Sequence, residues 1–469
     1  MFGIVPKTLW QKKIKPDELN RIPMSARAML IIGNGKIILV DTGTGQKLNE
    51  KQKERLYESL KGLNYAVFKR FRTARFDIFE DKTFGKITIE VVGARKESYH
   101  HESRNPITEI GTLSDDLGRR DFTINAFAIC LNSDSYGKLI DLHHGQSDLT
   151  NKILRTPLDP TITFSDDPLR MLRAARFASQ LGFTIEEKTK AAMNINAERI
   201  SIVSNERISQ EFLKIMASTK PSVGLSILFE TNLLESIMPE LNKLHGVEQI
   251  DGKGHKDVFW HTLQVVDNVA LTSENIWLRM AALLHDVGKP RTKRFQEDKG
   301  WTFHGHDAVG AKMAHGIFKR MCLPFEHLNY VQKLIRLHLR PIPLSKEEIT
   351  DTAIRRLMVE AGEDIGDLMK LCKADVTSKN ANKVRRVLDN FSRVETKIDE
   401  VEQKDLWAKW RPPINGNDIM QLFDIKEGKT VGRLKLLVEN AILDGVIPHD
   451  RDAAIQFLKD NMNRTYLNN

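Results

Sequence analysis

The sequence predicts an α+β protein in which a mixed α/β head is followed by a mostly α-helical body. Three observations carry this. Alternating or continuous apolar segments separated by turn residues cluster ahead of Val92. Beyond Asp166 such segments nearly vanish, and Leu, Ile, Ala and Met recur at three- and four-residue spacing to the end of the chain. The length of 469 residues exceeds one hydrophobic core and predicts three or four domains.

Residues 25–42 alternate and then run apolar around Asn34-Gly35, the pattern of a hairpin followed by a turn. A second strand cluster spans Ala66 to Val92 and is punctuated by Lys82 to Gly85. Helical patterning takes over after Asp166, with breaks near Lys243 to Gly254 and near Trp410 to Asn417, where Pro412, Pro413 and Gly416 fall. Forty-one per cent hydrophobic and 28% charged residues describe a folded, soluble protein. No apolar run is long enough for a bilayer, and Lys7, Lys12, Lys13 and Lys15 precede no apolar signal core, so a cytoplasmic protein without membrane contact is expected. Cys130, Cys322 and Cys372 are too few and too widely spaced for a disulfide framework or a thiolate metal site. A net charge of +9 permits a polyanionic partner such as RNA, as it permits an ordinary basic surface. Nothing in the pattern fixes the oligomeric state.

Two segments carry nucleotide chemistry. The first is R-R-D-F-T-I-N-A, Arg119 to Ala126. Guanidinium forks bind phosphate oxygens and a carboxylate accepts from ribose hydroxyls, although R-R-D alone also describes a surface ion-pair cluster. The second is S-D-D-P-L-R-M-L-R-A-A-R-F, Ser165 to Phe177. Asp167 and Arg170 lie three apart on an expected helix and so share a face, as an acceptor beside a donor or as an intrahelical ion pair. Cytosine and adenine each present an exocyclic amine beside an unprotonated ring nitrogen, which such a pair complements; guanine and uracil present the reverse, a mismatch on the order of several kcal/mol in a closed site. Arg173 and Arg176 continue the row, available to a triphosphate.

The ordered series R-R-D-F-T-I-N-A, D-L-H-H-G-Q-S-D-L (Asp141 to Leu149), S-D-D-P-L-R-M-L-R-A-A-R-F and E-R-I-S-Q-E (Glu206 to Glu211), with V-G-A-R-K-E-S-Y (Val92 to Tyr99), resembles that of bacterial-type tRNA nucleotidyltransferases and poly(A) polymerases from about Val67 to the C-terminus. The resemblance implies addition of C and A to tRNA 3′ ends from CTP and ATP with Mg²⁺. It implies that Arg119, Arg120 and Asp121 contact triphosphate and ribose with Asn125 in support, and that Asp167 and Arg170, beside Asp166, pair with the base. Glu206, Arg207 and Glu211 would brace the base-reading helix. The family's metal-holding D-x-D after a G-G-x-V-R-D loop does not occur ahead of Val67; the D-x-D here is Asp450 to Asp452, and Glu90 is a lone strand carboxylate. Polymerising activity is therefore expected to be impaired, and the catalytic residues are not assigned. Residues 1–60 instead resemble the opening strands of a metallo-β-lactamase-fold hydrolase, without its histidine cluster, since His100 is the first histidine.

From His255 to Asp375 the chain carries His261, His285-Asp286, His304, His306, His338 and Asp375 in helical patterning, a donor set suited to a divalent metal. The L-L-H-D-V-G-K-P run resembles HD-superfamily phosphohydrolases. That resemblance implies His261, His285, Asp286 and Asp375 as ligands for Mg²⁺, Mn²⁺ or Ni²⁺, with Lys289, His306 and His338 serving phosphate or a second metal. The expected organisation is a foreign segment over 1–65, a partial nucleotidyltransferase head over 66–150, a base-reading and RNA-binding neck over 151–245, an HD domain over 246–400 and a helical tail over 401–469. Hydrolysis at the HD site and tRNA binding without catalysis are the alternative functions.

Overall fold

A computed structural model describes residues 30–33, 36–39, 64–68, 73–81, 85–92, 94–98, 107–130, 135–246, 249–250, 253–254, 257–344, 350–378, 380–405 and 412–466. The chain divides into two compact units, Met1–Pro239 and Glu240–Asn469. The break falls just ahead of the polar stretch expected to separate neck from HD domain.

Unit 1 opens with a five-stranded sheet in the order β1-β2-β5-β4-β3, where β1 is Leu30–Gly33, β2 Lys36–Leu39, β3 Asn64–Phe68, β4 Thr73–Asp81 and β5 Gly85–Val92. The register Gly33↔Lys36 leaves Asn34-Gly35 between β1 and β2, the two-residue connection that this dipeptide favours. Strand β2 pairs in parallel with β5, Ile38 opposite Glu90. The hairpin within the expected foreign segment thus shares a sheet with the head. The remainder of residues 1–65 lies outside the described residues. Glu90 sits on the central strand, facing Ile38 on one side and Arg75 on the other in register. A hairpin of β6 (Arg95–Ser98) and β7 (Ile107–Ile110) and a pair of β8 (Phe127–Ile129) and β9 (Leu139–Asp141) follow.

The helical part of unit 1 buries Phe164, Met171, Leu172, Phe212, Ile215 and Leu225 completely. Helix α1 (Leu113–Gly118) starts at Thr112, whose hydroxyl accepts from Asp115 N while Asp115 Oδ2 accepts from Thr112 N. Helix α2 is Gly145–Asn151, and α3 (Pro160–Asp166) is capped by Asp159, whose carboxylate accepts from Thr161 N and Ile162 N. Helix α4 (Leu169–Leu181) ends at Gly182 in the left-handed region, φ 67°, and packs on α5 (Asn205–Met216) and α6 (Pro221–Glu230).

One expectation is corrected at the α3–α4 junction. Asp167 is not on the helix that carries Arg170. It is extended, φ −136° and ψ 93°, because the ring of Pro168 disfavours the helical region for the residue before it. Its carboxylate accepts from Leu169 N at 3.3 Å.

In unit 2, α7 (Val258–Thr272), α8 (Ile276–Leu284), α9 (His306–Arg320), α10 (Leu328–Leu337) and α11 (Ile365–Ala374) surround a core that includes Val265, Leu278, Leu283, Ile317, Leu334 and Leu371. Asp257 and Asn275 cap α7 and α8. Between α8 and α9 lies a hairpin of β14 (Arg294–Gln296) and β15 (Gly300–Thr302), numbered after two-residue pairs β10–β11 (Ile153–Leu154, Thr184–Ile185) and β12–β13 (Gln249–Ile250, Lys253–Gly254). A separate apolar cluster of Ile419, Leu434, Val438, Ala454 and Leu458 forms the C-terminal part.

Candidate functional site

In unit 1, α1 delivers Arg119 and Arg120 directly after its last turn, and Asp116 holds both. Its Oδ1 accepts from Arg119 Nε at 3.1 Å and Nη2 at 2.5 Å; its Oδ2 accepts from Arg120 Nη2 at 2.6 Å. Burial lowers the Arg120 pKa to about 10 against the attraction of Asp116. Asp121 is buried and fully engaged: Phe122 N and Asn125 Nδ2 donate to Oδ1, and Arg173 Nε and Nη2 donate to Oδ2 at 2.8 and 2.5 Å. Burial alone would raise its carboxyl pKa, but Arg173 foremost and these hydrogen bonds hold it below the usual range.

Arg170 Nη2 donates to the Arg119 carbonyl at 2.7 Å, which brings the two motifs together. A cleft of about 230 Å³ opens there, lined by Arg119, Asp166 and Arg170, by Lys96 and His143, and by apolar Leu158 and Ile162. Asp167 lies half-buried beside Asp166. The expected row of arginines does not stay on this cleft. Successive i+3 positions drift by about 60° around a helix, so Arg173 turns to Asp121 and Arg176 turns into the core. Arg176 pairs there with Glu211 at 2.8 Å and lies 4.2 Å from the Phe177 ring centroid. Its expected availability to triphosphate is thereby corrected. Glu211 braces α4 through this pair, whereas Glu206 and Arg207 are exposed on α5.

The D-L-H-H-G-Q-S-D-L segment, to which the sequence alone assigns no role, clamps the arginine motif. Asp148 Oδ2 accepts from Thr123 Oγ1 at 2.7 Å, and Asp141 accepts from the backbone N–H groups of Gly145 and Gln146 at the start of α2. Gly145 packs so closely that an added Cβ would lie 2.3 Å from the Thr123 carbonyl oxygen. The missed Asp116 had a local signal, since it stands three and four residues before the two arginines.

In unit 2 all seven residues expected at the HD site converge. His261 Nε2 is 2.8 Å from Asp375 Oδ1 and 3.9 Å from Asp286 Oδ2. His285 Nε2 lies 3.3 Å from Asp286 and 3.5 Å from Asp375. His306 Nε2 is 3.3 Å from Asp286 Oδ1 and 3.4 Å from His338 Nε2, and Lys289 Nζ is 2.6 Å from Asp286 Oδ2. Asp286 thus joins two potential ligand groups, one with His261 and His285 and one with His306 and His338.

The ring orientations fit a metal. His285, His306 and His338 each donate Nδ1–H to the carbonyl three residues earlier, Ala282, Phe303 and Ile335, and His261 Nδ1 meets Thr377 Oγ1 at 2.6 Å. Every Nε2 is thereby turned to the centre, the arrangement by which protein partners orient metal-bound imidazoles. His285 Nε2 is buried and makes no hydrogen bond. Burial disfavours a charged His285, but the adjacent carboxylates, Asp286 foremost, outweigh it and hold its pKa up at about 10. Burial, with His285 nearby, pushes His338 down to about 4. His304 is exposed, outside this centre.

Residues 40–155 match the model of the poly A polymerase head domain, residues 182–244 that of the probable RNA- and SrmB-binding site of polymerase A, and residues 258–377 that of the HD domain. The chain is 32% identical over 357 residues to the A-adding tRNA nucleotidyltransferase of Deinococcus radiodurans, covering 73% of this chain and 79% of that protein. It is 31% identical over 344 residues to the CC-adding tRNA nucleotidyltransferase of Thermus thermophilus, covering 70% and 73%.

The chain belongs to the tRNA nucleotidyltransferase family.

The Thermotoga maritima CCA-adding enzyme in complex with tRNA shares the fold at 19% identity, with a TM-score of 0.52 over 92% of this chain and 88% of that one. A CCA-adding enzyme in its second apo form does so at 20% identity and TM-score 0.55, over 92% and 88%. The head match begins upstream of Val67, where the motif resemblance starts. The chain's head and HD families are both divalent-metal dependent. No described helix is long and apolar enough to cross a membrane.

Proposed function

We propose that unit 1 selects CTP and ATP for addition to the 3′ end of tRNA, in the cytoplasm and with Mg²⁺. The observation that carries this reading is the cleft formed where Arg170 meets the Arg119 backbone. Arg170 donates to the unprotonated ring nitrogen of cytosine or adenine, and Asp167, with Asp166 beside it, accepts from the exocyclic amine. Arg119 and Arg120 meet the triphosphate, sharing with it the charge that Asp116 now neutralises. Asp121, Asn125, Arg173 and Arg176 act from behind this surface by fixing it. The nucleotide-selecting half of the reaction is assigned to these residues; the transfer half needs carboxylates to hold Mg²⁺, for which Glu90 on β5 is one candidate. The test is purified protein incubated with tRNA lacking CCA, labelled CTP or ATP and Mg²⁺, in which incorporation of label supports the transfer half despite the missing D-x-D. No incorporation sinks the polymerase, and tRNA retention with steep salt dependence but no turnover would identify a binding protein.

A second activity is favoured by the inward-turned imidazoles of unit 2. We infer that His261, His285, Asp286 and Asp375 hold Mg²⁺, Mn²⁺ or Ni²⁺, with His306 and His338 available to a second ion. A bound divalent ion supplies positive charge against a phosphoryl oxygen. Lys289, which bonds Asp286 and is the more exposed of the two, orients the phosphate. The reaction is hydrolysis of phosphate esters, RNA 2′,3′-cyclic ends among them. Hydrolysis of a model phosphodiester with Mn²⁺ or Ni²⁺ should be lost in Asp286→Ala; activity that survives this substitution rejects the assignment.

A further inference from the structure

Between Asp286 and His306 the chain runs out and back through a short basic hairpin that neither activity above employs. Lys289–Thr292 is a single helical turn, β14 and β15 form the hairpin, and Phe303 leads back to His306. Both ends are fixed at the HD cluster. Lys289 Nζ bonds Asp286 and lies 5.7 Å from the Phe303 ring centroid, and the Phe303 carbonyl accepts from His306 Nδ1.

Cations and rings alternate along this segment. The Lys293 ammonium sits 4.3 Å from the Trp301 ring centroid, and Phe295 meets Trp301 edge to face at 5.3 Å. The register pairs Arg294 with Thr302, so Arg294 projects from the face opposite Phe295 and Trp301. Arg291 and Arg294 are exposed. The acidic residues Glu297 and Asp298 lie in the connecting turn with Lys299, at the end remote from the cluster.

The rings are packed into the hairpin, which leaves Arg291 and Arg294 as the exposed cations outside the connecting turn, and exposed cations of this kind bind the phosphate backbone of a nucleic-acid strand. A mononucleotide phosphate at the cluster is met by Lys289. Arg291, Lys293 and Arg294 stand farther along the chain and find phosphates only if the ligand is a strand. We propose that this hairpin binds the terminal nucleotides of single-stranded RNA and leads the strand's 3′ phosphate to the HD cluster, so that the site takes RNA ends in preference to mononucleotides. The substrate class rests on the phosphohydrolase reading; the binding surface does not.

The test uses the full chain in EDTA, irradiated with an octaribonucleotide that ends in 4-thiouridine 3′-phosphate, with adducts located by mass spectrometry. Adducts are expected within residues 291–303 and should fall about tenfold in Arg291→Gln/Arg294→Gln, on the order expected for two lost phosphate contacts. Adducts confined to other segments, or unchanged in the variant, overturn the proposal. With Mn²⁺, the same variant should raise KM for an octanucleotide with a 2′,3′-cyclic end and leave KM for the cyclic mononucleotide unchanged. A wild-type protein that crosslinks through the hairpin yet hydrolyses neither substrate rejects the phosphohydrolase reading alone.

Discussion

Arg170 donates its Nη2 hydrogen to the carbonyl oxygen of Arg119 at 2.7 Å, so one side chain both lines the cleft and fixes the backbone that presents the paired arginines. Lysine carries the charge but not the planar fork needed for both tasks. Arg170→Lys should weaken CTP and ATP binding about 10- to 100-fold, the scale of a lost charge-assisted hydrogen bond. Calorimetric titration with each nucleotide checks this, and a thermal midpoint close to wild type would confirm that the loss is local to the half-buried site.

Arg176 and Glu211 form a pair with side chains only 9% and 6% exposed. Removing one partner strands a buried charge, so Glu211→Ala should destabilise unit 1 by about 3–5 kcal/mol. Arg176→Met/Glu211→Leu should recover most of that in urea denaturation. A double variant as unstable as the single one would show that the ion pair itself, rather than the orphaned charge, sets the cost.

Asp121 predicts a pH dependence. Its carboxyl pKa is held below its ordinary value of 3.8, so the ionised form binds its partners more tightly in the folded chain than in the unfolded one. That stabilisation is fully present above the unfolded pKa and is lost as pH falls through the folded one. Asp121→Asn should therefore cost stability at pH 7, and the gap from wild type should narrow progressively below about pH 4. Denaturation midpoints measured from pH 7 to pH 3 would show it; a constant gap rejects the assignment.

Gly288 packs against the backbone of His306 so tightly that an added Cβ would lie 2.2 Å from the His306 carbonyl oxygen and 2.8 Å from Gly310 N. Gly288→Ala must therefore displace the start of α9 and with it one imidazole of the cluster. Metal content by elemental analysis should fall while far-ultraviolet dichroism stays near wild type. Mn²⁺ should raise the thermal midpoint of wild type by mass action and EDTA should reverse it. Asp286→Ala should show neither response.

The sequence was most informative where chemistry is local or the residue type is scarce. Asn34-Gly35 between apolar runs marked a hairpin, and the histidines with Asp286 and Asp375 marked a cluster because their spacing and order resemble a complete HD-superfamily set around L-L-H-D-V-G-K-P. Asp167 was misplaced although Pro168 carried the signal for a helix break. Arg173 and Arg176 were misread because helical drift moves i+3 neighbours off a flat face over two steps, and only the packing of α5 shows which of them points inward. The contacts of Gly145 with Thr123 and of Gly288 with His306 join distant segments, and no spacing rule reveals them.

The histidines of the HD centre have one further implication. Three rings are each anchored by the carbonyl three residues earlier, in the last turn of α8 for His285, in the turn leading into α9 for His306 and in the last turn of α10 for His338. The aim of these three imidazoles is consequently written into short stretches of chain, whereas His261 takes its aim from the distant Thr377, and the three should tolerate large changes in the connections between their stretches. A designer could transplant the turns ending at His285, His306 and His338 into another scaffold and keep the pose of these three imidazoles.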